Sequence, residues 1–325
     1  MLGAIVIAGQ GGESEGKVGR SSSVDVSSWE NWHPCPASVP VLGCSSVART
    51  VEYLRQSGIE EVSLFSGQSP ASTATTLSET ERHAWRSAAE KLRDYCESGL
   101  STVLVMRPGA YAECDLAAFI GQHQDEGQVI TRAVDREGVL DIWAIDSSRF
   151  QDTDDLLATL TSTDIGHCEM SGYINRLRTP EDFRRMVTDL LTGKCKMRPR
   201  GTEIRPGIWT DEGAQIGRGA RIVAPAYVGR DVRIADDCLI TRCSNVESWS
   251  HVDFGTAIED SSILTNTYVG IGLDLSHSIV DGDELLNLHH EVRLHVSDPV
   301  VMRRNSPRGY QREQLSQPEA SHVSL

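Results

Sequence analysis

The sequence predicts an α/β domain followed by a coil of very short parallel strands. Three observations carry that reading. Across residues 1–195, buried-strand patterns alternate with amphipathic helical ones, the order of an α/β sheet sandwich. From Ile216 an aliphatic residue recurs every six positions: Ile216, Ile222, Val228, Ile234, Ile240, Val246, Val252, Ile258. From about Arg303 the chain turns rich in Arg, Gln, Ser and Pro, the composition of a disordered tail. The expected units are 1–195, 196–302 and 303–325.

The elements of the first unit follow in order. Leu2–Ala8 reads as a buried strand that runs into the glycine-rich turn Gly9-Gln10-Gly11-Gly12. Backbone amides of Gly9, Gly11 and Gly12 are the candidate phosphate or nucleotide contacts. Glu13 and Glu15 follow and would repel a phosphate, and residues 13–38 read as a polar surface loop. Ser46–Gly58 is an amphipathic helix with Val47, Val51 and Leu54 on one face, ended by Gly58. Ile59–Ser66 gives the next strand. Leu77–Gly99 contains a second helix with the stripe Trp85, Ala88, Ala89, Leu92 and Cys96. Thr102–Met106 is a third buried strand, Asp115 caps a helix starting at Leu116, and Val129–Val134 and Leu140–Ile145 read as strands. Thr179-Pro180-Glu181-Asp182 starts a helix: a capping hydroxyl, proline at the first helical position, then acids at the positive dipole end. Phe183, Met186, Val187, Leu190 and Leu191 form its buried face.

A period of six fits neither the 3.6 of a helix nor the 2 of a solitary strand. It fits a triangular coil in which each hexapeptide supplies one short strand and one corner, and three hexapeptides complete a rung. The aliphatic residue points inward. A small or modest residue four positions later (Ala220, Ala226, Val232, Cys238, Ser244, Ser250, Thr256, Ser262) fits the corner. An ordinary β-sandwich with chance spacing is the bland alternative. Beyond Ile258 the pattern continues irregularly through Leu264, Val269, Leu273 and Ile279. Val280–Met302, with Leu285, Leu286, Leu288, Val292, Leu294 and Val296, is expected to cap the coil or to form an interface.

Composition narrows the function classes. The chain has 325 residues, 39% apolar and 24% charged, enough for a sizeable core. A net charge of −15 without a long basic run argues against nucleic acid as a partner. The eight cysteines (Cys35, Cys44, Cys96, Cys114, Cys168, Cys195, Cys238, Cys243) show no zinc-ligand spacing and suit thiols in a reducing cytoplasm. The apolar run Ala4–Ala8 is too short for a signal peptide or a membrane span. Neither a metal nor a membrane partner is expected. Histidines His251, His277, His289 and His290 read as structural, with a general base of the kind coil-type acyltransferases use as the alternative.

Three stretches resemble the sugar-1-phosphate nucleotidyltransferases, the NDP-sugar pyrophosphorylase and mannose-1-phosphate guanylyltransferase type of family. Pro40-Val41-Leu42-Gly43, the following helix and Ile59-Glu60-Glu61-Val62 are similar to its PVLGKP…GIEEV segment. Val103–Leu116 resembles its strand, metal loop and helix start. Gly172-Tyr173 with Thr179-Pro180-Glu181-Asp182 resembles its GY…TPED segment. The resemblance implies a Rossmann-like, GT-A-like sheet sandwich followed by a left-handed parallel β-helix of hexapeptide repeats. It also implies Mg²⁺-dependent transfer between a nucleoside triphosphate and a sugar 1-phosphate.

The family's chemical positions are replaced. Ser14 stands where the resemblance places an arginine, Pro36 a lysine, and Gly109 and Arg176 two metal-binding aspartates. A cation in place of a carboxylate disfavours Mg²⁺ by about 4 kcal/mol per unit charge pair at 4 Å and an effective dielectric of 20. Glu113 and Asp115 are nearby candidates to replace the lost aspartate, but Asp115 reads as a helix cap and Glu113 as exposed. The expectation is a catalytically impaired relative, regulatory or scaffolding in sugar-nucleotide or polysaccharide metabolism. Its partners would be a nucleotide or sugar nucleotide and a second copy or an active paralogue. An active pyrophosphorylase using Mg²⁺ and a β-helix acyltransferase are the alternatives. Restoring Gly109→Asp with Arg176→Asp is expected to recover metal dependence before rate.

Overall fold

A computed structural model of the protein describes residues 2–8, 39–66, 79–107, 111–150 and 155–305. It is a mixed α/β structure of two compact units: Met1–Val39 with Cys44–Met186, and Pro40–Gly43 with Val187–Leu325. The division falls inside the helix that starts at Pro180. Among the described residues no helix is long and apolar enough to cross a membrane.

The first unit begins with β1 (Leu2–Ala8); β2 (Pro40–Val41) belongs to the second unit. Then come β3 (Cys44–Ser45), α1 (Ser46–Gln56), β4 (Glu61–Ser66), α2 (Glu79–Glu97), β5 (Thr102–Met106), β6 (Tyr111–Cys114), α3 (Leu116–Glu126), β7 (Ile130–Asp135), β8 (Gly138–Asp146), α4 (Leu156–Leu160), β9 (Gly166–Glu169), β10 (Gly172–Asn175) and α5 (Pro180–Leu191). Six strands form one mixed sheet in the order β4-β1-β5-β8-β7-β9. β1 runs parallel to both β4 and β5, whereas β8 is antiparallel to β5 and β7. Strand alternation splits the core in two. Ala4, Val6, Leu104, Met106, Ile142 and Ala144 pack with α1 and α3; Ile5, Ile7, Val103, Val105, Trp143 and Ile145 pack with α2 and α4. Ser45 caps α1 and Asp115 caps α3 through the Ala118 amide at 3.0 Å. Thr179 accepts from the Asp182 amide at 3.2 Å at the start of α5.

The second unit holds three sheets that the chain visits in turn. The first contains β11 (Thr202–Arg205), β12 (Ile208–Thr210), β15 (Ala226–Val228), β18 (Ser244–Val246), β21 (Ser262–Ile263) and β24 (Ser278–Asp281), followed by β25 (Glu284–Asn287) and β26 (Val292–His295). The second contains β13 (Gln215–Ile216), β16 (Arg233–Ile234), β19 (His251–Val252), β22 (Thr267–Val269) and β27 (Met302–Arg304). The third contains β14 (Arg221–Ile222), β17 (Leu239–Thr241), β20 (Ala257–Glu259) and β23 (Asp274–Ser276). From β12 to β24 every pairing within a sheet is parallel. Val228 pairs Val246, Ile234 pairs Val252 and Ile240 pairs Ile258, each 18 residues on.

The inward positions hold with two corrections, at Ile216 and past Ile258. Val228, Ile234, Ile240, Val246, Val252 and Ile258 are buried in one core. Ile216 is 40% exposed, and Ile222 is half-buried while still packed against that core; β13 and β14 are the end strands of their sheets. Past Ile258 the register drops to 17: Val246 pairs Ile263, Val252 pairs Val269, Ile258 pairs Leu275 and Ile263 pairs Val280. The inward residues are therefore Ile263, Val269, Leu275 and Val280, where the sequence reading had Leu264, Leu273 and Ile279 at three of the four places.

Corners explain the residues between. The third residue after each inward position is left-handed at Gly213, Gly219, Asp231, Asp237, Trp249, Gly255, Asn266 and Gly272. Gly, Asp and Asn enter that region most readily. The buried hydroxyls one place later satisfy the next rung where strand pairing lapses. Ser250 Oγ donates to the Leu264 carbonyl at 2.8 Å and accepts from the Thr267 amide at 3.2 Å. Thr256 does the same with Gly270 and Leu273 at 2.6 and 3.1 Å. Cys238 Sγ, in the equivalent place, lies 3.1 Å from the Asp253 carbonyl.

The parallel run ends where β25 folds back antiparallel on β24, and β27 on β22. Leu285 and Met302 join the core, while Val292 and Leu294 are exposed. Arg303 and Arg304, which the sequence reading gives to the tail, lie on β27; 306–325 lie outside the described residues.

Candidate functional site

Of the four replaced positions, Ser14, Pro36 and Gly109 lie outside the described residues, as do the candidate nucleotide contacts Gly9, Gly11 and Gly12. β1 leads the chain towards that glycine turn at Ala8, opposite Ser66 of β4. Arg176 is described, and its surroundings define its role.

The turn after β10 is locked by Asn175, whose Oδ1 accepts from the Leu177 amide at 3.0 Å. Its Nδ2 donates to the Asp182 carbonyl at 2.8 Å. Leu177 takes a left-handed φ of 49°. Arg176 is thereby turned into the protein, 6% exposed. Its Nη1 donates to the Val139 carbonyl at 2.9 Å and its Nη2 to the Gly138 carbonyl at 3.2 Å; Nη2 also bonds the Asp135 carboxylate. Nε lies 3.2 Å from Glu137 Oε2, an ion pair without hydrogen-bond alignment. One guanidinium thus staples the β7–β8 hairpin to the turn before α5.

The carboxylates nearby are also engaged. Glu113 is buried, not exposed as the sequence suggests; it lies on β6, which pairs with β10, and its Oε1 accepts from the Tyr111 hydroxyl at 2.8 Å. Asp115 caps α3. Asp135 accepts from the Glu137 amide at 2.8 Å as well as from Arg176. The Cys114 thiol is pushed up to about 11, first by burial and then by the negative charges of Asp135 and Glu113. A thiol so shifted is almost wholly protonated near neutrality and is a poor nucleophile.

In the second unit the main site is one the sequence reading missed. Glu247 is fully buried on the residue after inward Val246. Its Oε1 accepts from the Leu42 amide at 2.7 Å and from Asn245 Nδ2 at 2.7 Å, and its Oε2 from the Gly43 amide at 3.0 Å. Arg200 donates its amide to the Leu42 carbonyl at 3.1 Å. Leu42 and Gly43 have φ of 53° and 81°, and a Cβ on Gly43 would collide with the Tyr227 hydroxyl and Arg200 Cβ. The Pro-Val-Leu-Gly stretch is therefore held as a backbone anion ligand set inverted: two amides point at a protein carboxylate, the geometry with which such turns bind phosphate. An acid at a position where Gly217 and Gly229 stand in other rungs was the available signal.

The histidines separate. His251 lies on β19, not at a corner, its ring 5.5 Å from that of Tyr268. Tyr268 donates to Asp253 at 2.7 Å and lies 3.6 Å beneath the Arg303 guanidinium. His277 sits at a left-handed corner with Nδ1 2.7 Å from Asp260 Oδ2. His289 and His290 follow in the turn after β25.

Comparison with known proteins assigns no family: no protein-family model matches the chain, and no curated protein matches it significantly.

Proposed function

We propose that this chain is a non-catalytic relative of the sugar-1-phosphate nucleotidyltransferases, acting as a regulatory or scaffolding subunit in sugar-nucleotide or polysaccharide metabolism. In this reading the first unit is a Rossmann-like, GT-A-like sheet sandwich and the second a left-handed parallel β-helix. Three sheets visited in turn at an 18-residue register support the β-helix. The six-stranded sheet with helices on both faces supports the sandwich.

The observation that carries the functional reading is Arg176. It occupies the place the resemblance gives to a metal carboxylate, and it is committed to Asp135 and two backbone carbonyls. Nucleotidyl transfer needs a cation held on the triphosphate and donors aimed at the developing charge. A buried cation serving as a hairpin staple supplies neither function and repels the ion. Nucleotide binding through the amides of Gly9, Gly11 and Gly12 is retained in this reading and is indifferent to Mg²⁺.

The test is pyrophosphate release by the purified protein with four NTPs against glucose, mannose, galactose and N-acetylglucosamine 1-phosphates. Absence of turnover with Mg²⁺-independent nucleotide binding is expected. Robust turnover with any pair, abolished by a chelator, overturns the proposal in favour of an active pyrophosphorylase. Acetyl transfer from acetyl-CoA to an amino sugar overturns it in favour of an acyltransferase.

A further inference from the structure

We infer that His277, His289 and His290 form a surface site for one divalent transition-metal ion of the zinc type, with Asp260 as the positioning carboxylate behind His277. The proposal is independent of the nucleotidyltransferase reading.

Ring spacing is the first argument. The His277 and His289 centroids are 5.7 Å apart and those of His289 and His290 4.8 Å. A metal–nitrogen bond of about 2.1 Å puts an imidazole centroid about 3.2 Å from the ion, so two imidazoles at a tetrahedral angle lie about 5.2 Å apart. The two observed separations bracket that value.

The second argument is tautomer control. Asp260 Oδ2 lies 2.7 Å from His277 Nδ1, which fixes the proton there and leaves Nε2 as the atom able to bind a metal. Metal-ligating histidines characteristically hand their second nitrogen to a carboxylate in this way.

The third argument is the backbone. The corner holding His277 and the turn holding His289 and His290 are tied by three hydrogen bonds. The Leu288 amide donates to the His277 carbonyl at 2.8 Å, and Asn287 Nδ2 to the Ser276 carbonyl at 3.0 Å and to Ser278 Oγ at 3.2 Å. Asn287 Oδ1 in turn accepts from the His290 amide at 2.9 Å. The two loops cannot separate without breaking these bonds, so the segments that carry the three histidines stay side by side. Among the described residues no three such side chains already converge on a metal position. The His289 and His290 rings belong to exposed residues and turn about χ1 and χ2 at little cost, towards the His277 ring that Asp260 holds. Neutral imidazoles suit zinc, copper and nickel rather than magnesium or calcium. Three protein donors leave a fourth position to water. A bound ion would link the last corner of the parallel run to the β25–β26 turn.

The experiment uses the untagged full-length protein and Zn²⁺ alone, titrated against a competing chelating dye, with metal counted after gel filtration. One Zn²⁺ per chain at micromolar affinity is expected, with a raised unfolding midpoint. His289→Ala/His290→Ala should weaken that binding at least 100-fold while leaving the metal-free midpoint unchanged. His277→Asn is the second variant, because asparagine tolerates the left-handed corner. It should weaken binding to a similar extent. Asp260→Asn should keep the 1:1 stoichiometry and lower affinity 10–100-fold, the effect of losing a positioning carboxylate. No uptake by the wild type, or uptake that both histidine variants retain, overturns the site; the second result would place the ion on the thiols or on other histidines.

Discussion

Glu247 makes a stringent prediction. Replacing it with alanine removes the acceptor of three donors: the buried Leu42 amide and Asn245 Nδ2, and the part-buried Gly43 amide. Hydrogen bonds to a charged acceptor contribute about 1.5–3 kcal/mol each, and a buried donor left unsatisfied costs about 1–3 kcal/mol. The three losses share one side chain and are not additive, so Glu247→Ala should destabilise the second unit by about 3–5 kcal/mol. Glu247→Gln keeps one carbonyl oxygen and turns an amino group towards a donor, so about half that loss is expected. Urea denaturation gives the midpoints. Hydrogen exchange over 40–45 gives the local effect: the Leu42 and Gly43 amides, protected in the wild type, should exchange fast in both variants. Retained protection in Glu247→Ala would show that the carboxylate does not hold this stretch.

Three further outcomes follow from the geometry. Ile234→Asp buries an unpaired charge in the parallel core and should cost several kcal/mol, read as loss of the second unit's cooperative unfolding; a tolerated substitution would refute the six-residue register. Arg176→Met leaves Asp135 and two carbonyls uncompensated and should cost about 3–5 kcal/mol in the first unit; Arg176→Asp, which would restore the resembled carboxylate, adds repulsion and should unfold the hairpin before any Mg²⁺ is gained. A thermal midpoint within error of wild type in either variant would refute the staple. Burial pushes Asp253 up, but the Tyr268 hydroxyl, the Phe254 amide and the charges of His251 and Arg303 outweigh it and hold the carboxyl below its ordinary value. Its contribution is therefore full above the unfolded value near about 4 and is lost as pH falls through the lower folded value. Tyr268→Phe should move the acid-unfolding midpoint to higher pH, and an unmoved midpoint would refute this assignment.

The sequence by itself determined what rests on local periodicity. The strands β1 and β5, helices α1, α2, α3 and α5, and the six-residue repeat to Ile258 are each set by residues within one element, whose apolar spacing reports the face to be buried. What failed was what depends on neighbours distant in the chain. A one-residue deletion between Ile258 and Ile263 shifts the register to 17, yet sequence spacing alone leaves Ile263 and Leu264 equally eligible; only pairing with Val246 chooses between them. Ile216 carries the repeat but lies exposed, since burial needs a rung beneath it. Glu113 reads as a surface acid but is buried on β6 against the Tyr111 hydroxyl, and nothing local marks Glu247 until Leu42 and Gly43, more than 200 residues away, direct their amides at it. The role of Arg176 was equally invisible: a substitution in a motif records which charge is present, and only the tertiary structure places that charge against Asp135 and the hairpin carbonyls that neutralise it. Periodicity is a property of one segment, whereas the satisfaction of a buried polar group is a property of pairs brought together by the fold.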